Sequence, residues 1–111
     1  MVRIFLVCVF CLIVPSAFAG AGKKAAAQDA AEGKKIFAEH CALCHHANST
    51  ATKVGPGLKG LFQRAKLKDG AKVTDANVRD EIENGHGGMP AWKNVLSKDQ
   101  IDDVMAYLKT L

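Results

Sequence analysis

Cys41-Ala42-Leu43-Cys44-His45 sets two thiols three residues apart with an imidazole directly after the second. On a helical turn this spacing brings both sulfurs to one side and projects the histidine beside them. Whatever those three groups hold, the chain has to fold around it. Zinc would need two further ligands, which His46 and His86 could in principle supply. No second cysteine pair is left for a structural site, because Cys8 and Cys11 lie in an apolar leader. A thioredoxin-like redox pair needs a βαβ setting, and no alternating run of four or more residues reads as a strand. Covalent haem attachment accounts for the whole C-x-x-C-H pattern. The thiols become thioethers on the two vinyl groups of one porphyrin, and His45 turns to the iron as an axial ligand.

The N-terminus speaks for export. Arg3 gives a positive start, Ile4 to Val14 is an apolar run of eleven residues, and Ala17-Phe18-Ala19 follows Pro15. That is the form of a cleaved secretory signal, residues 1–19. Eleven residues are too short for a span, which takes about 20. Residues 20–28 form a flexible Ala/Gly/Lys arm, and 29–111 form the folded domain. The expected compartment is the periplasm, with no stable membrane insertion after cleavage. In such a compartment an unoccupied cysteine pair would form a disulfide, so the haem also explains why the pair is there. The formal charge of +4 favours acidic partners. No basic run interleaves with aromatics, which excludes nucleic acid.

Three helices are expected. Asp29-Ala-Ala-Glu32 has the form of a capping box and starts the first, with Gly33, Phe37, His40/Cys41 and Cys44 on one face. Thr74 caps the second, in which Val78 and Ile82 face inward and Asn84-Gly85 marks the end. Ser97-Lys-Asp-Gln100 caps the third, whose apolar face is Ile101, Val104, Met105, Leu108 and Leu111. Leu58, Leu61 and Phe62 suggest a short helical turn between them, and Asp69-Gly70 marks a turn. The fold class is all-α, with long loops around one cofactor.

An iron that only exchanges electrons needs a sixth ligand. Met105 falls on the apolar face of the last helix, where packing explains it. Met89 sits in Gly87-Gly88-Met89-Pro90, where nothing apolar is required, so it is the expected ligand. His86, three residues away, is the rival. His40 and His46 flank the cysteines and are expected to point away from the iron side.

The ordered set of motifs is similar to the small monohaem c-type cytochromes with Met/His ligation. It comprises the helix with Gly33 and Phe37, C-x-x-C-H, Gly55-Pro56-Gly57-Leu58, Gly60-Leu61-Phe62-Gln63-Arg64, Gly88-Met89-Pro90-Ala91-Trp92, and a last helix with Tyr107. It covers about 33–111. The resemblance implies the cytochrome c fold, with Pro56 offering its carbonyl to the Nδ1 proton of His45. It also implies that Leu58 and Trp92 touch the haem, and that Gly33 and Phe37 cross the final helix near Tyr107. The stretch from Arg64 to Val73 and the extra His86 depart from its pattern.

The function these readings imply is outer-sphere electron transfer by a monomeric carrier, not an enzyme, between exported redox proteins. Lys53, Lys59 and Lys93 are candidates to steer an acidic partner. A haem subunit of a larger enzyme and a gas sensor are the competing classes. The second needs an open sixth position.

Overall fold

Each helix begins where a short polar side chain catches its first free amides. The computed structural model describes residues 28–111, so the leader and most of the arm lie outside the described residues. Helix α1 runs Ala30–His40, and the Asp29 carboxylate accepts from the amides of Ala31 and Glu32. Only half of the expected capping box forms there. The Asp29 N–H donates to the Asp103 carboxylate at 2.7 Å, and Glu32 pairs with Lys35 instead. A neighbouring helix offers the better acceptor, so the local motif yields to a tertiary bond. Helix α2 is Asp75–Asn84, capped by the Thr74 hydroxyl on the Asn77 amide. Helix α3 is Lys98–Leu108, and its box is complete: Ser97 accepts from the Gln100 amide while the Gln100 side chain accepts from the Ser97 amide.

Helices α1 and α3 form the main packing pair. A Cβ on Gly33 would drive into the backbone carbonyl of Asp103, so only glycine lets the two axes approach this closely. One turn along, Phe37 meets Tyr107 edge-on at 5.4 Å between centroids and 63° between planes. Beneath them lies a core of Ile36, Phe37, Val78, Ile82, Leu96, Ile101, Val104, Met105 and Leu108, all buried. Met105 is 2% exposed, as packing on the apolar face requires. Leu111 lies beyond the helix end and is only half-buried.

The links are not featureless. A 3₁₀ turn at Leu61–Gln63 follows Gly60, whose φ of 67° is left-handed, and the Gly60 amide donates to the carbonyl of Leu111. Beyond it the chain doubles back through an isolated antiparallel bridge between Lys66 and Lys72, with Gly70 at the turn. No longer β pairing occurs among the described residues. These two stretches and the loop 85–96 leave one large apolar cavity between them and the helices.

Candidate haem site

The site starts where α1 stops. Beyond His40 the chain tightens into a turn: the amides of Cys41 and Ala42 donate to the carbonyl of Phe37, and those of Cys44 and His45 to the carbonyl of Cys41. Cys44 therefore rides this turn and not the helix face itself. Both cysteines are half-buried and free of any disulfide. Burial pushes the Cys41 thiol up to about 11, and the nearby Cys44 thiol adds to the rise.

His45 is fixed from one side. Its Nδ1 lies 2.8 Å from the carbonyl oxygen of Pro56. A carbonyl only accepts, so Nδ1 carries the proton and Nε2 keeps its lone pair. The ring packs on Gly55, where a Cβ would run into Cε1. The loop that presents Pro56 is itself tied down. Its Gly55 amide donates to Cys44 and its Leu58 amide to His46. Arg64 donates to the carbonyls of Gly57 at 2.7 Å and Lys59 at 2.6 Å.

Met89 comes from the loop that follows α2. Helix α2 ends at Gly85, whose φ is 65° and where a Cβ would collide with the Met89 carbonyl. The last carbonyls of α2 do not go unpaired. Trp92 N–H donates to Ile82 at 3.0 Å and Lys93 N–H to Glu83 at 3.2 Å, while Lys93 Nζ bonds the side chain of Asn84. The loop carrying Met89 is thus closed at its base onto the helix it leaves. Its tip is glycine-rich, and the Met89 amide donates to the carbonyl of His86.

Cys41, Cys44, His45, Pro56, Leu58, Met89 and Trp92 all line one cavity of about 740 Å³. That is within the size range of small-molecule and cofactor sites. Its wall also includes Phe37, Leu61, Val78, Ile82, Val104 and Leu108, so the helix faces that form the core continue into it. An apolar slot with two thiols, an imidazole lone pair and a thioether on its rim suits a flat, apolar macrocycle holding a metal of intermediate softness.

His86 also borders the cavity. Its Nδ1 is 3.2 Å from a Glu81 carboxylate oxygen and its Nε2 3.6 Å from an Asp80 oxygen. His46 is exposed. His40 is half-buried, lines the cavity and tilts against Trp92 at 5.3 Å between ring centroids. It closes α1, and the Met89 loop brings Trp92 across to meet it. Sequence spacing gives no sign of a contact between residues 52 positions apart. Arg64, Lys66 and Lys68 also border the cavity, again through folding and not through any local motif. Leu43 and Val54, 78% and 73% exposed, stand at its mouth. Apolar residues there serve no core, which is the one signal of them the sequence carries.

An all-helical fold wrapped on an apolar slot, with C-x-x-C-H on its rim, defines a c-type cytochrome. Residues 28–108 match the family described as cytochrome c oxidase, cbb3-type, subunit III. The chain is similar to cytochrome c6 of Synechocystis sp., 37% identical over 98 residues, covering 88% of this chain and 78% of the relative. It is also similar to cytochrome c6 of Leptolyngbya boryana, 39% identical over 80 residues, covering 72% and 89% respectively. The solved structure of cytochrome c6 from the diatom Phaeodactylum tricornutum superposes with a TM-score of 0.59 at 26% identity, over 74% of this chain and 92% of that one. The chain belongs to the cytochrome c family, as a small monohaem c-type cytochrome with covalently attached haem c. It is an electron carrier. No helix among the described residues is long and apolar enough to cross a membrane.

Proposed function

We propose that Cys41 and Cys44 would attach a haem through their sulfurs, that His45 and Met89 would ligate its iron, and that the protein passes single electrons by outer-sphere transfer without acting as an enzyme. The observation that carries this reading is the orientation of His45. Pro56 accepts the Nδ1 proton, which leaves Nε2 free on a ring that lines the same apolar cavity as Met89. When bound, the haem supplies an iron that cycles between ferrous and ferric states. The chain's own contribution is a fixed environment. The Pro56 carbonyl keeps the imidazole from rotating and raises its basicity. The Met89 thioether favours the reduced state and so raises the potential. Leu58 and Trp92 keep water from the slot, and closed loops hold both ligands in place through the redox change.

The same reading takes residues 1–19 as a cleaved leader, 29–111 as the functional domain and the periplasm as its place of work. There the protein acts as a monomer on redox partners with acidic surfaces. The cytochromes c6 it resembles and the leader-like start of the sequence support this. A second reading, a haem subunit held in an oxidase, is favoured by the name of the matching family. Co-purification with a membrane oxidase at stoichiometric yield would establish it over the free shuttle.

Visible spectra of the haem-loaded protein test the site. A covalent haem spectrum with a sulfur-to-iron band in the oxidised form, and no response of the reduced form to carbon monoxide, is the expected result. A bis-histidine spectrum would move the sixth ligand to His86. Ready carbon monoxide binding would replace electron carriage by sensing or catalysis.

A further inference from the structure

The stretch that presents Met89 is hard to hold by backbone alone. Gly85, Gly87 and Gly88 leave His86 as the one side chain between the end of α2 and Met89. Gly85 and Gly87 adopt left-handed φ of 65° and 60°. A Cβ at Gly87 or Gly88 would meet nothing within 4 Å, so the loop has no packing at those two positions. Glycine also loses more conformational freedom than any other residue when it is fixed. The backbone bonds that join the loop to α2 lie at its base, from Gly85 to Glu81, from Trp92 to Ile82 and from Lys93 to Glu83. The bond from the Met89 amide to His86 stays within the loop.

Side chains supply what the backbone lacks. His86 turns back onto α2, with Nδ1 3.2 Å from a Glu81 carboxylate oxygen and Nε2 3.6 Å from an Asp80 oxygen. An imidazole carries at least one N–H in either charge state, and here each nitrogen has a carboxylate beside it. The other oxygen of Asp80 accepts from the Asn84 side-chain amide at 2.6 Å, and the Asn84 oxygen accepts from Lys93 Nζ at 2.8 Å. Asp80 and Asn84 are four residues apart, which puts them on one face of α2. The contacts therefore run from His86, where the loop begins, to Lys93, where it ends. Most of these groups are exposed, and exposed pairs add little to the stability of a whole domain, about 0.2–1 kcal/mol each. Local opening of a loop starts from near zero, and against that scale the same contribution counts.

We infer that the chain of contacts from His86 through Asp80 and Asn84 to Lys93 is a clasp that holds the Met89 loop closed, which makes these side chains positioning residues for the sixth ligand. The inference rests on the reading of Met89 as that ligand and deepens it. It gives His86 a task in the Met89-ligated protein, which is to steady the loop and not to bind iron.

The test mixes the haem-loaded ferric protein with excess imidazole, which can take the iron only when Met89 leaves it. His86→Ala and Asn84→Ala should each raise the limiting rate roughly threefold, the worth of an exposed polar contact, with the sulfur-to-iron band still present before mixing. The Met89 amide should exchange its hydrogen with solvent faster by a similar factor. Both positions act in one chain of contacts, so the double variant should gain less than the product of the two. Glu32→Gln, which breaks the exposed pair with Lys35 on α1, should leave both readouts unchanged. Unchanged rates in both loop variants, or a fully multiplicative double variant, would overturn the inference. So would a rise that follows a lowered midpoint of global unfolding, which would make the contacts ordinary supports of the fold. A missing sulfur-to-iron band in the unsubstituted protein refutes Met89 as the ligand instead, so the two failures are told apart.

Discussion

At the scale of single residues, the choice between Met89 and His86 turns on where each side chain is held. Met89 is half-buried and packed against the core, whereas the His86 side chain is 44% exposed with carboxylates of Glu81 and Asp80 near its two nitrogens. A ligand has to be available without first breaking other attachments, and Met89 meets that condition better. Met89→Ala is therefore expected to keep the covalent haem but lose the sulfur-to-iron band and bind carbon monoxide when reduced. His86→Ala should leave the band intact. Paired oxidised and reduced spectra of the two variants check this. The reverse pattern would make His86 the ligand.

Between elements, two contacts decide how the helices sit. Gly33 allows α1 to reach the backbone of α3, and a methyl group there meets Asp103 with no flexible side chain to give way. Overpacking of this kind costs about 1–3 kcal/mol, so Gly33→Ala should lower the thermal midpoint by several degrees while the haem spectrum stays unchanged. The second contact joins α2 to α3. Lys98 and Arg79 hold the Asp102 carboxyl below the usual carboxylate range against the opposing effect of its burial. A group lowered in the folded state contributes stability above its unfolded value of about 3.9 and loses it as the pH falls through the folded value. Asp102→Asn should cost about 1 kcal/mol at pH 7, and the difference from the unsubstituted protein should close as the pH drops below about 4. Denaturant unfolding at pH 7 and at successive steps below about pH 4 follows the loss. A gap that does not narrow at all below about pH 4 would mean that packing, and not charge, makes the contribution.

For the whole molecule, what could be read in the sequence divides by range. Helix starts, the inward faces of α2 and α3 and the motif on the cavity rim are local patterns, and they appear where spacing puts them. The half-formed cap at Asp29, the meeting of His40 with Trp92 and the lysine turn facing the cavity depend on segments tens of residues apart. No local rule reaches them. The cavity itself is the largest such feature. The apolar faces of all three helices look correct for a core, yet on one side they face a volume of about 740 Å³ and not one another. The slot is open at its mouth, so without the cofactor water reaches the apolar side chains that line it, and their burial is gained only when the cofactor fills it. The cofactor is therefore a structural part of the core, and the chain without it should not keep its tertiary fold. Cys41→Ser/Cys44→Ser, produced without haem, is expected to show weak near-ultraviolet circular dichroism and collapsed amide dispersion by NMR, with some helix remaining in α1 and α3. A well-dispersed, cooperatively unfolding haem-free chain would show instead that the loops can close over the slot by themselves.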